Sequence, residues 1–292
     1  MAAHFSKYQA LGNDYLVLHE NDQCPVPSPA ALRAMCDRHS GQGSDGVLVE
    51  TEGLVVSEGG AESVGAGPAL RSFGLRIFNP DGSEAEKSGN GLRIFARHIF
   101  ETRPEHPRRF AIATKGGLAA VAILADDGSL VRVDMGRPEF DLGGETLDRE
   151  ATFGGQSVLM SLVSMGNPHC VLRGLPVDEA TARRVGPIVE GDHLFPSKTN
   201  VQLLEIVARD EIRIEIWERG AGYTLSSGSS SCAAAAVARR LGLVGEALRV
   251  RCPGGVLRVE FVDERAFLTG PVEKVCEGDF APEFLRKCGL PC

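Results

Sequence analysis

The chain has 292 residues, 43% of them hydrophobic and 24% charged, with a formal net charge of -8, the composition of a globular protein. The acidic balance is spread without long runs and argues against a nucleic-acid partner, which usually needs a basic face, and against a purely electrostatic hold on a membrane. The length allows two domains of ordinary size, and the longest apolar stretches, such as residues 232–238, are too short to span a bilayer.

Residues 1–9 lack the basic start and apolar core of a secretory signal, so a cytoplasmic protein is expected. The eight cysteines (Cys24, Cys36, Cys170, Cys232, Cys252, Cys276, Cys288 and Cys292) are scattered, with no C-x-x-C pair. That spacing supports a zinc site only weakly and reads as reduced, mostly buried thiols. A Cys288–Cys292 pairing under oxidising conditions carries little weight.

In chain order, residues 5–7 and 15–19 read as short strands around the turn Leu11-Gly12-Asn13-Asp14. Residues 29–39 read as a helix with Ser28 as N-cap and Pro29 at its first position. Residues 47–51 form an apolar strand, and 52–71, rich in Gly, Ser and Glu, read as a loop or long hairpin tip. A strand at 74–79 precedes a helix at 91–101, with Leu92, Phe95, Ala96 and Ile99 on one face. Residues 110–134 are β-like, with a hairpin at Asp126-Asp127-Gly128.

A second half repeats the plan. A strand at 158–165, a helix at 177–185, and strands at 201–207 and 211–218 lead to a helix at 231–241. Strands at 248–252 and 256–261 flank Pro253-Gly254-Gly255, and a final strand covers 267–276. Each half is thus strands, helix, strands, then a Ser-Gly turn into a buried helix, while letter-by-letter repetition is faint. That pattern fits an α+β duplication of closed or strongly curled sheets, and no short-period repeat points to a solenoid.

The most informative stretches are the two Ser-Gly turns. One is Ser88-Gly89-Asn90-Gly91, after Phe78-Asn79-Pro80-Asp81-Gly82-Ser83. The other is Ser227-Gly228-Ser229-Ser230, after Glu218-Arg219-Gly220-Ala221-Gly222-Tyr223. Serine is a favoured N-cap, which explains each turn taken alone. Two such turns half a chain apart suggest one site built at a pseudo-symmetric interface. The backbone N–H groups of Gly89-Asn90-Gly91 and Gly228-Ser229-Ser230 suit an anion such as a carboxylate, because a helix N-terminus carries partial positive charge.

With Ala10-Leu11-Gly12-Asn13-Asp14, Ser164-Met165-Gly166-Asn167-Pro168-His169-Cys170 and Thr199-Asn200-Val201 added in order, the chain resembles the diaminopimelate epimerase family over nearly its whole length. The resemblance implies two similar domains, each a barrel-like sheet around a central helix, with the site between them. It implies residues 1–132 joined by a C-terminal return at 272–292, and residues 133–271 as the second domain. It implies an isomerase that works at the α-carbon of an amino-acid-like substrate without pyridoxal phosphate, metal or other cofactor, and leaves a homodimer open.

In that family one cysteine removes the α-proton as a thiolate and another reprotonates the opposite face. The two positions are Ser88 and Ser227 here. Asn79, Asn167, Asn200, Glu218 and Arg219 match positions that bind substrate, Asn13 and the turn residues Gly89, Asn90, Gly228 and Ser229 are further substrate-binding candidates, and His169 and Tyr223 are auxiliary candidates. An acidic residue after Gly-Ala-Gly is replaced by Tyr223, and a glutamine of the substrate site falls at Gly46.

Serine makes the chemistry harder. A thiol has a pKa near 8.5 and an alcohol lies close to water, about 15.7. The gap of roughly six to seven units corresponds to about 8 to 10 kcal/mol, and a helix dipole supplies about 1 to 2 kcal/mol. Either a neighbour (Glu86, Lys87, Tyr223 or His169) assists, or the reaction differs, or catalysis is weak. The alternatives are therefore a double-bond isomerase or dehydratase of the same superfamily and an amino-acid-binding relative.

Overall fold

The computed structural model describes residues 4–19, 25–51, 71–140 and 146–290. The loop expected over 52–71 lies outside the described residues except for its last position. The chain divides into two compact units, Met1–Val133 with Pro271–Cys292, and Asp134–Gly270. The protein is a two-domain α+β fold.

The first unit contains β1 (His4–Ala10), β2 (Asn13–His19), α1 (Pro29–Cys36), β3 (Val47–Thr51), β4 (Ser72–Phe78), β5 (Glu84–Ala85), α2 (Gly89–Thr102), β6 (Arg109–Thr114), β7 (Gly117–Ile123) and the start of β8 (Leu130–Gly136). Neighbours β1–β2, β3–β4, β6–β7 and β7–β8 run antiparallel, while β2–β3 and β4–β6 run parallel. A parallel pair needs a crossover, and α1 and α2 are those crossovers.

The second unit repeats this with β9 (Arg149–Phe153), β10 (Gln156–Ser164), β11 (Pro168–Arg173), α3 (Glu179–Glu190), β12 (Asn200–Ala208), β13 (Glu211–Glu218), β14 (Gly222–Thr224), α4 (Gly228–Arg240), β15 (Ala247–Cys252), β16 (Gly255–Val262) and β17 (Arg265–Pro271). Here β10–β11, β12–β13, β15–β16 and β16–β17 are antiparallel, and β11–β12 and β13–β15 parallel, with α3 and α4 as crossovers. Short β5 and β14 pair with β4 and β13 in the same way. The chain then returns to the first unit as β18 (Glu273–Asp279), antiparallel to β1, and α5 (Pro282–Lys287).

The two crossover helices in each unit differ in burial. Helix α2 is buried from Gly89 through Ala96 and again at His98, Ile99 and Phe100, against β1, β2 and β7. Helix α4 buries Cys232 through Ala238 against β10 to β13, β15 and β16. A helix apolar on nearly every side belongs inside, and the alanine run lets α4 pack closely. Helices α1 and α3 bury one stripe only, over two further clusters: Leu16, Leu18, Val47 and Val49 under α1, and Leu172, Val201 and Leu203 under α3. Strands β2 and β11 are covered on both faces, so they read as continuous apolar runs rather than alternating ones.

Several boundaries depart from expectation. The helix expected over 29–39 ends at Cys36, because Asp37 turns extended and its carboxylate accepts from the N–H groups of His39 and Ser40. The helix expected over 177–185 starts after the cap Asp178 and runs to Glu190. Pro187 loses one donor there without stopping the helix, which buries Val189 two residues on. The final strand expected over 267–276 is two strands, broken by Pro271 and the buried Val272. Helices expected at 91 and 231 begin two or three residues earlier, since their serine caps outweigh the poor helix propensity of the glycines.

Candidate functional site

Ser88 caps α2 with an extended backbone (φ -139°, ψ 119°), and its Oγ accepts from the Gly91 N–H at 3.0 Å. The residue is partly exposed. The Tyr15 hydroxyl lies 3.4 Å from Ser88 Oγ. The first N–H groups of the helix have no partner within it, which gives the turn its affinity for anions.

Behind this turn runs a directional chain of amides. Arg93 Nη2 donates to Asn90 Oδ1 (2.8 Å), Asn90 Nδ2 to Asn13 Oδ1 (2.9 Å), and Asn13 Nδ2 to Asp45 Oδ2 (3.0 Å). Arg38 bonds both Asp14 and Asp45 at 2.7 Å, and Lys7 pairs with Asp14 at 2.9 Å. Burial alone would raise the Asp14 carboxyl, but the bonds from Arg38 and Lys7 outweigh it and hold the group below its usual range. The network fixes the side-chain amides of Asn13 and Asn90. Asn79 stands apart from it, donating to Ser83 Oγ at 3.0 Å.

Ser227 caps α4 with the same backbone (φ -143°, ψ 127°) but a longer bond, 3.4 Å from the Ser230 N–H, and is only 3% exposed. Beneath it Gln202 Nε2 donates to Ser230 Oγ at 3.0 Å. Gly228 is buried and Ser229 partly exposed in the same first turn.

His169 is buried, with Nε2 3.0 Å from Asn167 Oδ1. Burial lowers its pKa to about 3, against the pull of Gln202 and with help from the charge of Arg219. Such an imidazole is neutral at pH 7 and a weak base. Asn200 spends its amide on the backbone, donating to Pro168 O (2.9 Å) and accepting from Arg219 N–H (3.0 Å). The carboxylate of Glu190 accepts from Trp217 Nε1, Gly220 N–H and Lys198, so the turn carrying Glu218 and Arg219 is held from both sides. The Arg219 side chain is exposed, with one bond of 3.3 Å to Ser197 O.

Tyr223 does not offer a base. Its hydroxyl donates to Glu215 at 2.7 Å, its ring carries the Arg183 guanidinium 4.5 Å from the centroid, and burial beside Glu215 raises its pKa. Tyr15, Asp45, Arg93, Gln202 and Glu190 are residues the sequence reading missed. Only Tyr15 carried a local signal, lying two residues beyond Asn13.

Among the described residues no cluster of three or more His, Cys, Asp or Glu side chains is placed to hold a metal ion, and no helix is long and apolar enough to cross a membrane. Six cysteines are described, all free: Cys36, Cys170, Cys232 and Cys252 buried, Cys276 exposed and Cys288 between. Cys24 and Cys292, and with it the Cys288–Cys292 pairing, lie outside the described residues.

The diaminopimelate epimerase family profile matches residues 5–140 and 161–275. The chain belongs to the diaminopimelate epimerase family. It is 43% identical over 288 residues to diaminopimelate epimerase 2 of Nostoc sp., covering 96% of each chain. It is 36% identical over 290 residues to diaminopimelate epimerase of Moorella thermoacetica, covering 95% of this chain and 99% of the relative. Among solved structures it is similar in fold to a probable proline racemase of Agrobacterium radiobacter, with a TM-score of 0.70, 16% identity, and coverage of 96% and 93%. Membership of the diaminopimelate epimerase family makes the chain an isomerase of the epimerase and racemase type.

Proposed function

We propose that this isomerase moves the α-proton of an amino-acid-like carboxylate, with Ser88 and Ser227 standing at the two positions where the family uses cysteines. The observation that carries the reading is the matched pair of helix caps. Both serines adopt the same extended backbone, both open a buried crossover helix, and both accept from the third N–H of that helix. The first-turn N–H groups bind the substrate carboxylate and hold its enolate-like form more strongly as charge develops. Asn13 and Asn90, on the braced amide chain, and Arg219, on the turn held by Asn200 and Glu190, orient the rest of the molecule.

The curated relatives are named for diaminopimelate, which makes it the first substrate to try. Tyr223 and Gly46 depart from the family pattern, so the pocket for the far side chain is expected to differ. The test is incubation in deuterium oxide with L,L-diaminopimelate and a panel of other α-amino acids. Uptake of deuterium at the α-carbon, with the opposite stereoisomer appearing, is the expected result. A new ultraviolet absorbance without uptake would replace the reading by double-bond chemistry. Saturable binding with neither change would make the protein a binding relative.

A further inference from the structure

Helix α3 ends on an acid that its position disfavours. Glu190 is the last residue of the helix, where the dipole opposes negative charge, and it is only 8% exposed. A buried carboxylate there needs donors, and they come from one turn and from the loop leading to β12. Its Oε2 accepts from Trp217 Nε1 at 2.7 Å, while its Oε1 accepts from Gly220 N–H at 3.1 Å and meets Lys198 Nζ at 3.3 Å. Burial alone would raise the carboxyl, but these three partners outweigh it and hold the group below its usual range. Residues 217 and 220 stand on either side of Glu218 and Arg219. One carboxylate thus spans the turn that carries both.

Two further features serve the same junction, all of it within the second unit. The Trp217 ring lies against Gly186 of α3, where a Cβ would come within 2.4 Å of Trp217 Cγ and 2.6 Å of its Cβ. Those two atoms sit next to the backbone of β13 and cannot swing aside, so a side chain at 186 would displace the strand end. Lys198 adopts a left-handed backbone (φ 58°), which is uncommon away from glycine. Its ammonium reaches Glu190, and the carbonyl of its neighbour Ser197 accepts from Arg219 Nη1 at 3.3 Å. Asn200 Oδ1 fixes the Arg219 N–H itself at 3.0 Å. Helix end, loop and turn therefore meet at Glu190, and the exposed Arg219 projects from that junction.

We propose that Glu190 is the positioning residue of Arg219, stapling both ends of its turn to α3 so that the guanidinium is aimed before substrate arrives; this rests on the reading of Arg219 as a substrate ligand. An arginine carries much rotamer freedom, and freedom removed beforehand is not lost on binding. Glutamine at 190 cannot hold the turn in the same way. Its NH2 group would face one of the two donors, Trp217 Nε1 or Gly220 N–H, and release that end. Aspartate keeps the charge but is one methylene shorter, so it reaches fewer donors.

The chain has one tryptophan, so indole signals report this junction alone. The first readout needs no substrate. In Glu190→Gln the single indole N–H resonance should move upfield, and the Gly220 N–H should exchange with solvent about tenfold faster. An unchanged resonance with unchanged exchange would overturn the staple, whatever the substrate proves to be. The second readout is Trp217 emission, titrated with L,L-diaminopimelate and the amino-acid panel, which gives Kd without turnover. Glu190→Gln should raise Kd about tenfold, the value of one bond to a charged group. The kcat for α-deuterium uptake should hold within about twofold, and Glu190→Asp should fall between. In an Arg219→Ala background the same substitution should add less than about threefold, since the two residues act as a unit. Equal losses in both backgrounds would make Glu190 a fold residue only and overturn its positioning role. If Glu190→Gln fails to fold, Glu190→Asp carries the same cycle. Uptake absent from a wild type whose emission still titrates would defeat the proton-transfer reading and leave this one standing. Emission that no panel member moves in wild type would overturn this one.

Discussion

The two serine caps share a backbone and differ in chemistry. Ser88 is partly exposed, tightly capped at 3.0 Å and faced by a phenol, whereas Ser227 is 3% exposed, loosely capped at 3.4 Å and underlain by Gln202 and Ser230. The strands beside them diverge in parallel fashion. Asn13 and Tyr15 open β2 with the spacing that Asn167 and His169 have at β11. The phenol reaches the cap serine of its unit, while the imidazole turns to Asn167 and is held neutral by burial. The comparison teaches that the duplication preserves the helix start, which sterics and hydrogen bonds dictate locally. The side chains that surround each cap differ instead, a phenol beside Ser88 and an amide with a second serine beneath Ser227.

The largest expected effect that sharpens this contrast comes from alanine. Ser88→Ala and Ser227→Ala should each lower α-proton exchange by about 10²- to 10⁴-fold if both serines transfer protons. A loss at only one position, seen in the same deuterium assay, would show that the other is merely a cap. Next, Arg219→Ala should raise KM by about 10- to 100-fold, the value of a charged hydrogen bond, with the melting temperature unchanged. A lost thermal transition with unchanged affinity would make the Glu218-Arg219 turn structural instead.

Much of this architecture is legible in the sequence because its signals are local. Ser88 and Ser227 with their glycines mark helix starts, and Asp126-Asp127-Gly128 and Pro253-Gly254-Gly255 mark hairpins. What was not legible depends on contacts far apart in the chain. Tyr15 meets Ser88 and packs against Gly46, and no periodicity connects those three positions. Tyr223 looked like a group for the site, but Glu215 on the neighbouring strand β13 takes its hydroxyl. Strand β9, strand β11 and helix α5 are short or flanked by Pro168 and Pro282, so propensity gave little sign of them. Pro187 inside α3 and Pro271 as the last residue of β17 show that proline ends an element only where packing does not override it.

Two smaller effects probe the spaces around the caps. Gly46→Ala should destabilise the protein by about 1–3 kcal/mol, the usual cost of overpacking, because its Cβ meets the Phe78 carbonyl and the Tyr15 ring, read by denaturant titration. An unchanged midpoint would show that the Phe78 backbone and the Tyr15 ring yield easily. Smallest of all is the cap term itself. Ser88→Ala should cost about 1 kcal/mol, and Ser227→Ala less, because its bond is longer. The reverse order in chemical denaturation would show that burial, not cap geometry, sets the value of these hydroxyls.

The central claim is that the two caps hold the proton-transfer groups of an epimerase whose bases are serines. Its most direct test is deuterium uptake at the α-carbon of L,L-diaminopimelate and a panel of amino acids, comparing wild type with the Ser88→Cys, Ser227→Cys double variant. Two thiols lower the pKa of each base by roughly six to seven units, so the double variant should exchange at least about 10²-fold faster on the substrate that wild type accepts. Exchange absent from both proteins across the whole panel would contradict the claim.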